Sequence, residues 1–321
     1  MAKYLITGIA GFIGSSLARA LVDGGEEVRG VDNLSTGNAE NLAGYESRID
    51  FREADLRDAA AMRKACHGID YVLHIGALPS VPLSVEKPEP SHCSNVDGTF
   101  NVLEGARAAG VKRIVYAASS SAYGDQPTLP SRESMRPMPI SPYAVQKLAG
   151  EYYMSSFWQV YRLETVSLRY FNVFGPRQRA DSPYSGVLAK FILQMIEGKR
   201  PTIFGNGEQG RDFTYIENVI SANLLACAAP AADVAGKVFN IACGVRYSLN
   251  DVYRLLASMT GFEHPPLYGP ARTGDILKSQ ADISAAAEAF GYRPVIGLKE
   301  GLERTVEWYR ESLNLAAVKA R

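Results

Sequence analysis

Glycines 8, 11 and 14 in the stretch TGIAGFIG stand directly after the apolar run KYLIT and directly before a helical pattern, Ile13, Leu17 and Leu21. Glycine lets a backbone turn tightly and approach a neighbour more closely than any side chain allows. A helix opening from such a turn presents unpaired N–H groups and positive potential, a seat for a pyrophosphate. The stretch therefore predicts a first strand that turns into a helix against a phosphate-bearing ligand. The same alternation continues. Strands are predicted at 3–8, 27–32, 49–55, 71–77, 113–119 and 165–173, with helical patterns between them, one running from near Val96 to Ala109 and stopped by Gly110. Strands alternating with helices imply an α/β fold, a doubly wound parallel sheet covered on both faces.

After residue 173 the pattern loosens into GPRQRADSPYSG, rich in Pro, Gly and polar residues. Helices are then expected at 187–198, 217–228, 249–260, 282–290 and 298–313, with strands at PTIF and KVFNIA. This divides the chain into a Rossmann-type domain, 1–173 with about 211–242 returning to it, and a smaller mixed α/β substrate domain, 174–210 and 243–321.

Eighteen residues after Gly14, Asp32 ends the second strand. A carboxylate there accepts hydrogen bonds from an adenosine ribose and repels a 2′-phosphate. The following NLSTG offers no arginine for such a phosphate. The pattern favours NAD over NADP. Asp55, with Leu56 at the end of the third strand, is placed either to meet the adenine ring or to cap a helix.

The chain carries 34 Lys and Arg against 34 Asp and Glu, a formal net charge of zero, with no basic block. That argues against a nucleic-acid partner. An anionic substrate would need a few placed arginines. No apolar run reaches membrane-spanning length, and MAKYLITG enters a strand without a leader-like pattern, so a cytoplasmic enzyme is expected. The 4 cysteines (Cys66, Cys93, Cys227, Cys243) and 4 histidines are dispersed, which suggests neither a metal site nor a disulfide framework.

Two further stretches carry chemistry. AASSSAYG (117–124) ends a buried-looking strand with three serines. SPYAVQKLAGEYY contains Tyr143-x-x-x-Lys147, whose members share one helix face. Free tyrosine titrates near ~10, too high for a base at neutral pH, and a nearby cation favours its phenolate. Lys147 supplies one cation; an oxidised nicotinamide would supply another.

Together the glycine loop, Ser119, Tyr143 and Lys147 resemble the extended short-chain dehydrogenase/reductase family, in its nucleotide-sugar epimerase and dehydratase branch, over nearly the whole chain. YFNVFGPRQ (170–178), GEQGRDFTYIENV (207–219) and RTGDI (272–276) are similar to that branch's nucleotide-sugar segments. The resemblance implies a tightly held NAD, reduced and reoxidised within one turnover, and the catalytic set Ser119, Tyr143 and Lys147. It implies cofactor contacts at Gly8, Gly11, Phe12, Ile13, Gly14, Asp32, Asn33, Ser35, Asp55, Leu56, Gly76, Ala77, Asn95 and Tyr170. Members that eliminate water or decarboxylate carry a carboxylate beside the serine. Here those positions are Ser120 and Ser121, which leaves epimerisation at one carbon.

For the substrate, a UDP-sugar, the resemblance implies contacts at Ser80, Ser119, Ser120, Ser121, Tyr143, Asn172 and Val187, with Arg211 and Arg272 on the diphosphate and Asp275 on the nucleoside. Uronate-specific relatives tend to carry threonine in place of Asn172. GDILKSQADI (274–283) is similar to bacterial epimerases that prefer N-acetylated UDP-hexosamines. Ser279 falls where strict glucose/galactose enzymes carry a bulky tyrosine, leaving room for a 2-acetamido group. UDP-N-acetylglucosamine 4-epimerisation is the expected activity, with UDP-glucose tolerated; a glucose enzyme, a glucuronate enzyme and a nucleotide-sugar reductase are the alternatives. LHIGALPSVP and the Glu217-Asn218 pair depart from the commoner pattern. Family members are usually homodimers, which implies an interface of helices 96–109 and 143–160, with Tyr152, Phe157 and Trp158 either anchors or core.

Overall fold

Alternate residues of the central strands enter two different apolar clusters. Tyr4, Ile6, Leu73 and Val115 join one, while Leu5, Val72, Ile114 and Tyr116 join the other. A strand buried on both faces must be apolar at successive positions, which is why these segments read as continuous apolar runs. The structure, a computed structural model, describes residues 1–180, 186–271 and 277–319.

The strands are β1 (Lys3–Thr7), β2 (Glu27–Asp32), β3 (Ile49–Glu53), β4 (Tyr71–His74), β5 (Arg113–Ser119), β6 (Glu164–Tyr170), β7 (Val173–Phe174), β8 (Thr202–Phe204), β9 (Gly210–Asp212), β10 (Thr214–Tyr215), β11 (Lys237–Ile241), β12 (Arg246–Ser248) and β13 (Leu267–Gly269). The helices are α1 (Phe12–Asp23), α2 (Ala59–Cys66), α3 (Val81–Glu86), α4 (Pro88–His92), α5 (Gly98–Ala109), α6 (Pro142–Tyr161), α7 (Val187–Ile196), α8 (Ile216–Ala228), α9 (Ala231–Val234), α10 (Leu249–Thr260), α11 (Ser284–Phe290) and α12 (Leu298–Lys319).

Seven strands form one parallel sheet in the order β11-β6-β5-β4-β1-β2-β3. Helices α2, α5 and α6 cover one face through Met62, Val102, Leu103, Met154 and Phe157. The other face lies under α1 and α8, and its apolar cluster continues into α7, α10 and α12 through Phe191, Leu256 and Leu302. The later segments thus share a core with one sheet face. Three two-stranded ladders, β7 with β10, β9 with β12 and β8 with β13, join these segments.

Several boundaries differ from the sequence expectation. The third and fourth strands end at Glu53 and His74, ahead of 55 and 77. The strand expected over 165–173 breaks in two because Asn172 takes a left-handed φ of 35°. The helix expected from 96 starts at Gly98, after a π-helical turn, Cys93–Asp97, that follows α4. Both early strand ends are carboxyl ends of parallel strands.

Helix α6 begins under tight control. Ser141 accepts a hydrogen bond from the Ala144 N–H at 3.2 Å, and Pro142 takes the first turn, where its missing N–H costs nothing. Mid-helix, Gly150 lies against the Tyr116 ring of β5, where a Cβ would overlap the phenol. Gly150→Ala should therefore lower unfolding free energy by about 1–3 kcal/mol through overpacking. Denaturant titration checks this; an unchanged or raised midpoint would contradict the packing role.

Candidate active site

A cavity of 570 Å3 opens beyond the carboxyl ends of the strands, between the diverging connections of β1 and β4. In open parallel sheets this switch in direction is where ligands bind. Its wall begins with Gly8, Gly11, Phe12, Ile13 and Gly14, passes Asp32, Asn33, Ser35, Asp55 and Leu56, crosses Gly76, Ala77 and Ser80, and ends at Ser119, Tyr143, Tyr170 and Asn172.

Glycines shape the floor. Gly8 takes φ 68°, and a Cβ there would lie 2.7 Å from Gly76 Cα. Gly14 lies against the Gly8 carbonyl, again leaving no room for a Cβ. Helix α1 has no side-chain cap at Gly11, so its first N–H groups point to whatever lies in the cavity. Asp32, at the end of β2, accepts from the Ala10 N–H at 2.9 Å and the Leu34 N–H at 2.8 Å, pinning the glycine loop to the second strand. Burial pushes its carboxyl up while these N–H donors pull it down.

Next to it, Asn33 donates to Asp55 at 2.8 Å and accepts from both the N–H and the hydroxyl of Ser35. Asp55 also holds the Arg57 guanidinium at 2.9 and 2.8 Å, and that contact keeps its carboxyl far below the usual range. It does not cap a helix: Asp58 caps α2, through the Ala60 and Ala61 N–H groups. A backbone cradle with free N–H groups, a carboxylate at one end and a phenol at the other fits a dinucleotide.

Asn95 lies one layer behind the wall. It is buried, exchanges two hydrogen bonds with the Leu78 backbone and donates to Gln146 at 2.7 Å. His74 belongs to the same layer. The Gly76 N–H donates to Thr7 Oγ1, which meets His74 Nδ1 at 2.8 Å, where a neutral ring protonated at Nε2 accepts the Thr7 hydroxyl proton. Thr99 donates to the Asn95 carbonyl, so His74 Nε2 must carry the proton it gives to Thr99 at 2.9 Å. Burial pushes His74 down to about 3, consistent with this neutral tautomer.

At the other end, Ser119 closes β5. Its Oγ accepts from the Ser121 N–H at 3.2 Å and the Ser121 hydroxyl at 2.8 Å, leaving its own proton for an oxygen in the cavity. The Tyr143 hydroxyl hydrogen-bonds Ser119. Tyr143 is fixed on the first turn of α6, where its N–H donates to Ser84 Oγ at 3.1 Å. Lys147 Nζ donates to the Ala117 carbonyl at 2.9 Å and lies 4.9 Å from the centre of the Tyr116 ring. The sequence argument expected Lys147 to pull the phenol down. In this structure burial dominates: it pushes Tyr143 up to about 12 and Lys147 down to about 8.

The remaining expected residues scatter. Tyr170 sits in the wall with its hydroxyl held by Asn223. Asn172 donates to the Asp212 carbonyl at 3.0 Å. Ser80 caps α3 through the Leu83 N–H. Ser120, Ser121, Val187, Arg211 and Ser279 do not line the cavity among the described residues. Arg211 lies on β9 with Nη1 on the Gly210 carbonyl, and the Ser279 N–H donates to that same carbonyl at 3.0 Å. Arg272 and Asp275 lie outside the described residues. Sequence reasoning missed Arg177, Gln178 and Arg179, which line the cavity beyond Asn172. The basic pair in GPRQR was the available signal.

Fold and site together define a dinucleotide-dependent enzyme with a phenol–ammonium pair. A model of the NAD dependent epimerase/dehydratase family matches residues 4–242, and the chain belongs to that family. A UDP-glucose 4-epimerase of Mycolicibacterium smegmatis is 37% identical over 96% of this chain and 98% of its own. A UDP-glucuronate 4-epimerase of Thermodesulfobacterium geofontis is 32% identical over 98% of each. Among solved structures, a UDP-glucose 4-epimerase of Thermotoga maritima with UDP-glucose superposes with TM-score 0.92 at 38% identity, covering 97% of this chain and 99% of that one. A UDP-N-acetylglucosamine 4-epimerase of Methanobrevibacter ruminantium in complex with UDP-N-acetylmuramic acid gives TM-score 0.92 at 37% identity, with the same coverage. The cofactor of this family is NAD. Among the described residues, no helix is long and apolar enough to cross a membrane.

The Gly8–Gly76 approach makes a sharp prediction. Gly8→Ala should fold yet retain less than about a tenth of the wild-type NAD, because a Cβ at positive φ forces the two loops apart. Cofactor released by acid and quantified by chromatography measures this; full NAD content would refute the role given to the contact.

Proposed function

We propose that this NAD-dependent UDP-sugar 4-epimerase interconverts UDP-N-acetylglucosamine and UDP-N-acetylgalactosamine and also accepts UDP-glucose. The observation that carries reaction at a single carbon is the composition of the cavity wall. Among the described residues its only carboxylates are Asp32 and Asp55, both at the end remote from Tyr143. Among the described residues no carboxylate stands beside Ser119 to act as the acid or base of an elimination.

In this reading Tyr143 takes the proton of the sugar 4-hydroxyl, and Ser119 turns its own proton from Tyr143 to the same oxygen. Bound NAD supplies the hydride acceptor and donor at carbon 4, and its positive ring supplies charge that favours the Tyr143 phenolate. Inversion requires the 4-keto sugar to turn over between the two hydride transfers. The chain must therefore hold the nucleoside diphosphate firmly and the sugar loosely, a use of remote binding energy. Segments 174–210 and 243–321 would form the UDP-holding half, with Arg272 and Asp275 on the nucleotide, and the other half would add Arg211 on the nucleotide and Asn172 near the sugar. Support for the acetamido sugar comes from Ser279, a small side chain on the strap beside Gly210, and from the N-acetylated specificity of the Methanobrevibacter ruminantium enzyme. A glucose preference is the second reading, favoured by the Mycolicibacterium smegmatis relative.

Purified enzyme, with no cofactor added, should convert UDP-N-acetylglucosamine at least ~10-fold faster than UDP-glucose, and UDP-glucuronate least, as read by proton NMR of the 4-epimers. Conversion of UDP-glucose alone would remove the argument from Ser279. Selective conversion of UDP-glucuronate would remove the argument from Asn172.

We also propose a homodimer through α5 and α6. Phe100 on α5 and Tyr153 on α6 are exposed, with ring centres 5.7 Å apart, and Arg107 lies 4.9 Å over exposed Tyr161. Val145, Tyr152 and Val160 extend this exposed apolar surface. Of the three candidate anchors only Tyr152 is exposed: Phe157 is core, and Trp158 packs against Gly236. Sedimentation should give twice the 34.9 kDa chain mass. Phe100→Asp should weaken association at least ~10-fold, since it buries a charge in an apolar contact.

A further inference from the structure

Tyr143, Lys147 and Glu151 recur at every fourth residue of α6 and share one face. The first two belong to the catalytic reading above, on which this inference rests. Glu151 has no place in it. It is nonetheless buried, as are its partners: Arg169 on β6 grips it at 2.9 and 2.6 Å. Arg169 in turn lies 4.5 Å over the Tyr123 ring, and the Tyr123 hydroxyl donates to Asn240 at 2.7 Å. A lattice of this kind is costly to bury and requires a reason.

The groups facing Lys147 supply one. On its own helix are Tyr143 and Glu151. From β5 come the Tyr116 ring and the Ala117 carbonyl, and from β4 the neutral His74. Glu151 is the one anion among the described groups that act on Lys147, and burial acts against the ammonium. Burial pushes the Glu151 carboxyl up, and the Arg169 guanidinium and the Lys147 ammonium pull against it. The other groups acting on Glu151 and Arg169 are Lys147, Tyr123 and Glu133, the last with its carboxylate on the Asn240 N–H. The set Lys147, Glu151 and Arg169 carries one net positive charge, which a Tyr143 phenolate balances. Without the carboxylate two cations would face each other in a dry interior, and the ammonium, the weaker acid-holder of the two, would release its proton.

We propose that Glu151 is a positioning residue for the reaction: its carboxylate, held ionised by Arg169, keeps Lys147 protonated beside Tyr143. Removing a negative charge lowers every neighbouring pKa, and lowers the nearer one more. Glu151→Gln should therefore move both limbs of the kcat–pH profile to lower pH, the basic limb by about one unit or more, and cut kcat at pH 9 by ~10-fold. Glu151→Asp keeps the charge and should leave both limbs in place.

A second readout needs no turnover. In enzyme labelled with 13C at lysine Cε, the Lys147 resonance, assigned by its loss in Lys147→Met, should titrate near about 8 in wild type and about one unit or more lower in Glu151→Gln. A uniform loss of rate with unmoved limbs, or an unmoved Lys147 titration, overturns the proposal. If Glu151→Gln does not fold, 13C-glutamate labelling of wild type decides: Glu151 ionised at pH 7 supports the proposal, and Glu151 protonated at pH 7 overturns it. Tyr143→Phe separates the two readings. A variant retaining wild-type kcat would overturn the catalytic reading and this inference with it. If Tyr143→Phe loses ~10³-fold or more while Glu151→Gln leaves the profile unmoved, only the role of Glu151 fails.

Discussion

The contact on which the rest of the molecule depends is the passage of Gly8 past Gly76. It brings the first strand's turn against the fourth strand's loop at the point where the sheet connections diverge. A side chain on either residue would separate the two loops and widen the cavity floor. The contact is held from behind by a chain of hydrogen bonds whose proton order is fixed throughout: Gly76 N–H to Thr7, Thr7 to His74, His74 to Thr99, Thr99 to the Asn95 carbonyl. Asn95 then fixes Leu78, two residues beyond Gly76. His74 suits this place because a neutral imidazole accepts at one nitrogen and donates at the other. A second hydroxyl could not span two threonines on different elements.

That layer also explains which parts of the site the sequence could reveal. The glycine loop, Asp32 and the Tyr143–Lys147 pair are legible because the chemistry demands those residue types at fixed spacing within one element. The sheet is legible because strands buried on both faces are continuously apolar. Asn95, His74 and Thr99 are not legible. Their roles come from contacts between β1, β4 and α5, and no spacing within one segment encodes them. The same holds for Asp55. Its position at the third strand's end invited either a ligand contact or a helix cap. The structure shows it engaged by Asn33 and Arg57, with Asp58 taking the cap. Short helices α2 to α4 escaped notice because three or fewer turns give periodicity little to act on.

The electrostatics of the catalytic pair differ from the sequence argument for a physical reason. Spacing four residues apart brings Lys147 to the face of Tyr143, but not its charge to the phenol oxygen. The ammonium instead reaches the Ala117 carbonyl, and both groups are buried. Burial disfavours the charged form of each, so it raises the tyrosine and lowers the lysine. Their pKa values move apart, from about 10 and 10.5 to a phenol at about 12 and an ammonium at about 8. A resting site of this kind is neutral at the phenol. On the catalytic reading proposed above, it would become a base when positive charge is added beside it, which would tie proton removal to the presence of the oxidised cofactor.

A related tension governs the other half of the molecule. Asp212 is fully buried, has no cationic partner among the described residues, and accepts from the N–H groups of Cys243, Gly244 and Ala281. Burial pushes its carboxyl up to about 6, against those donors. One side chain thereby ties β9 to two later segments of the chain, while its own carbonyl receives Asn172 from the cavity wall. The strap carrying Ser279 leans on the same strand through Gly210. Asn172 and the strap thus rest on backbone groups of β9, and the buried Asp212 carboxylate fixes that strand. On the reading proposed for Ser279, substrate preference would be set by side chains of the strap, because the backbone beneath it is anchored independently of what those side chains are.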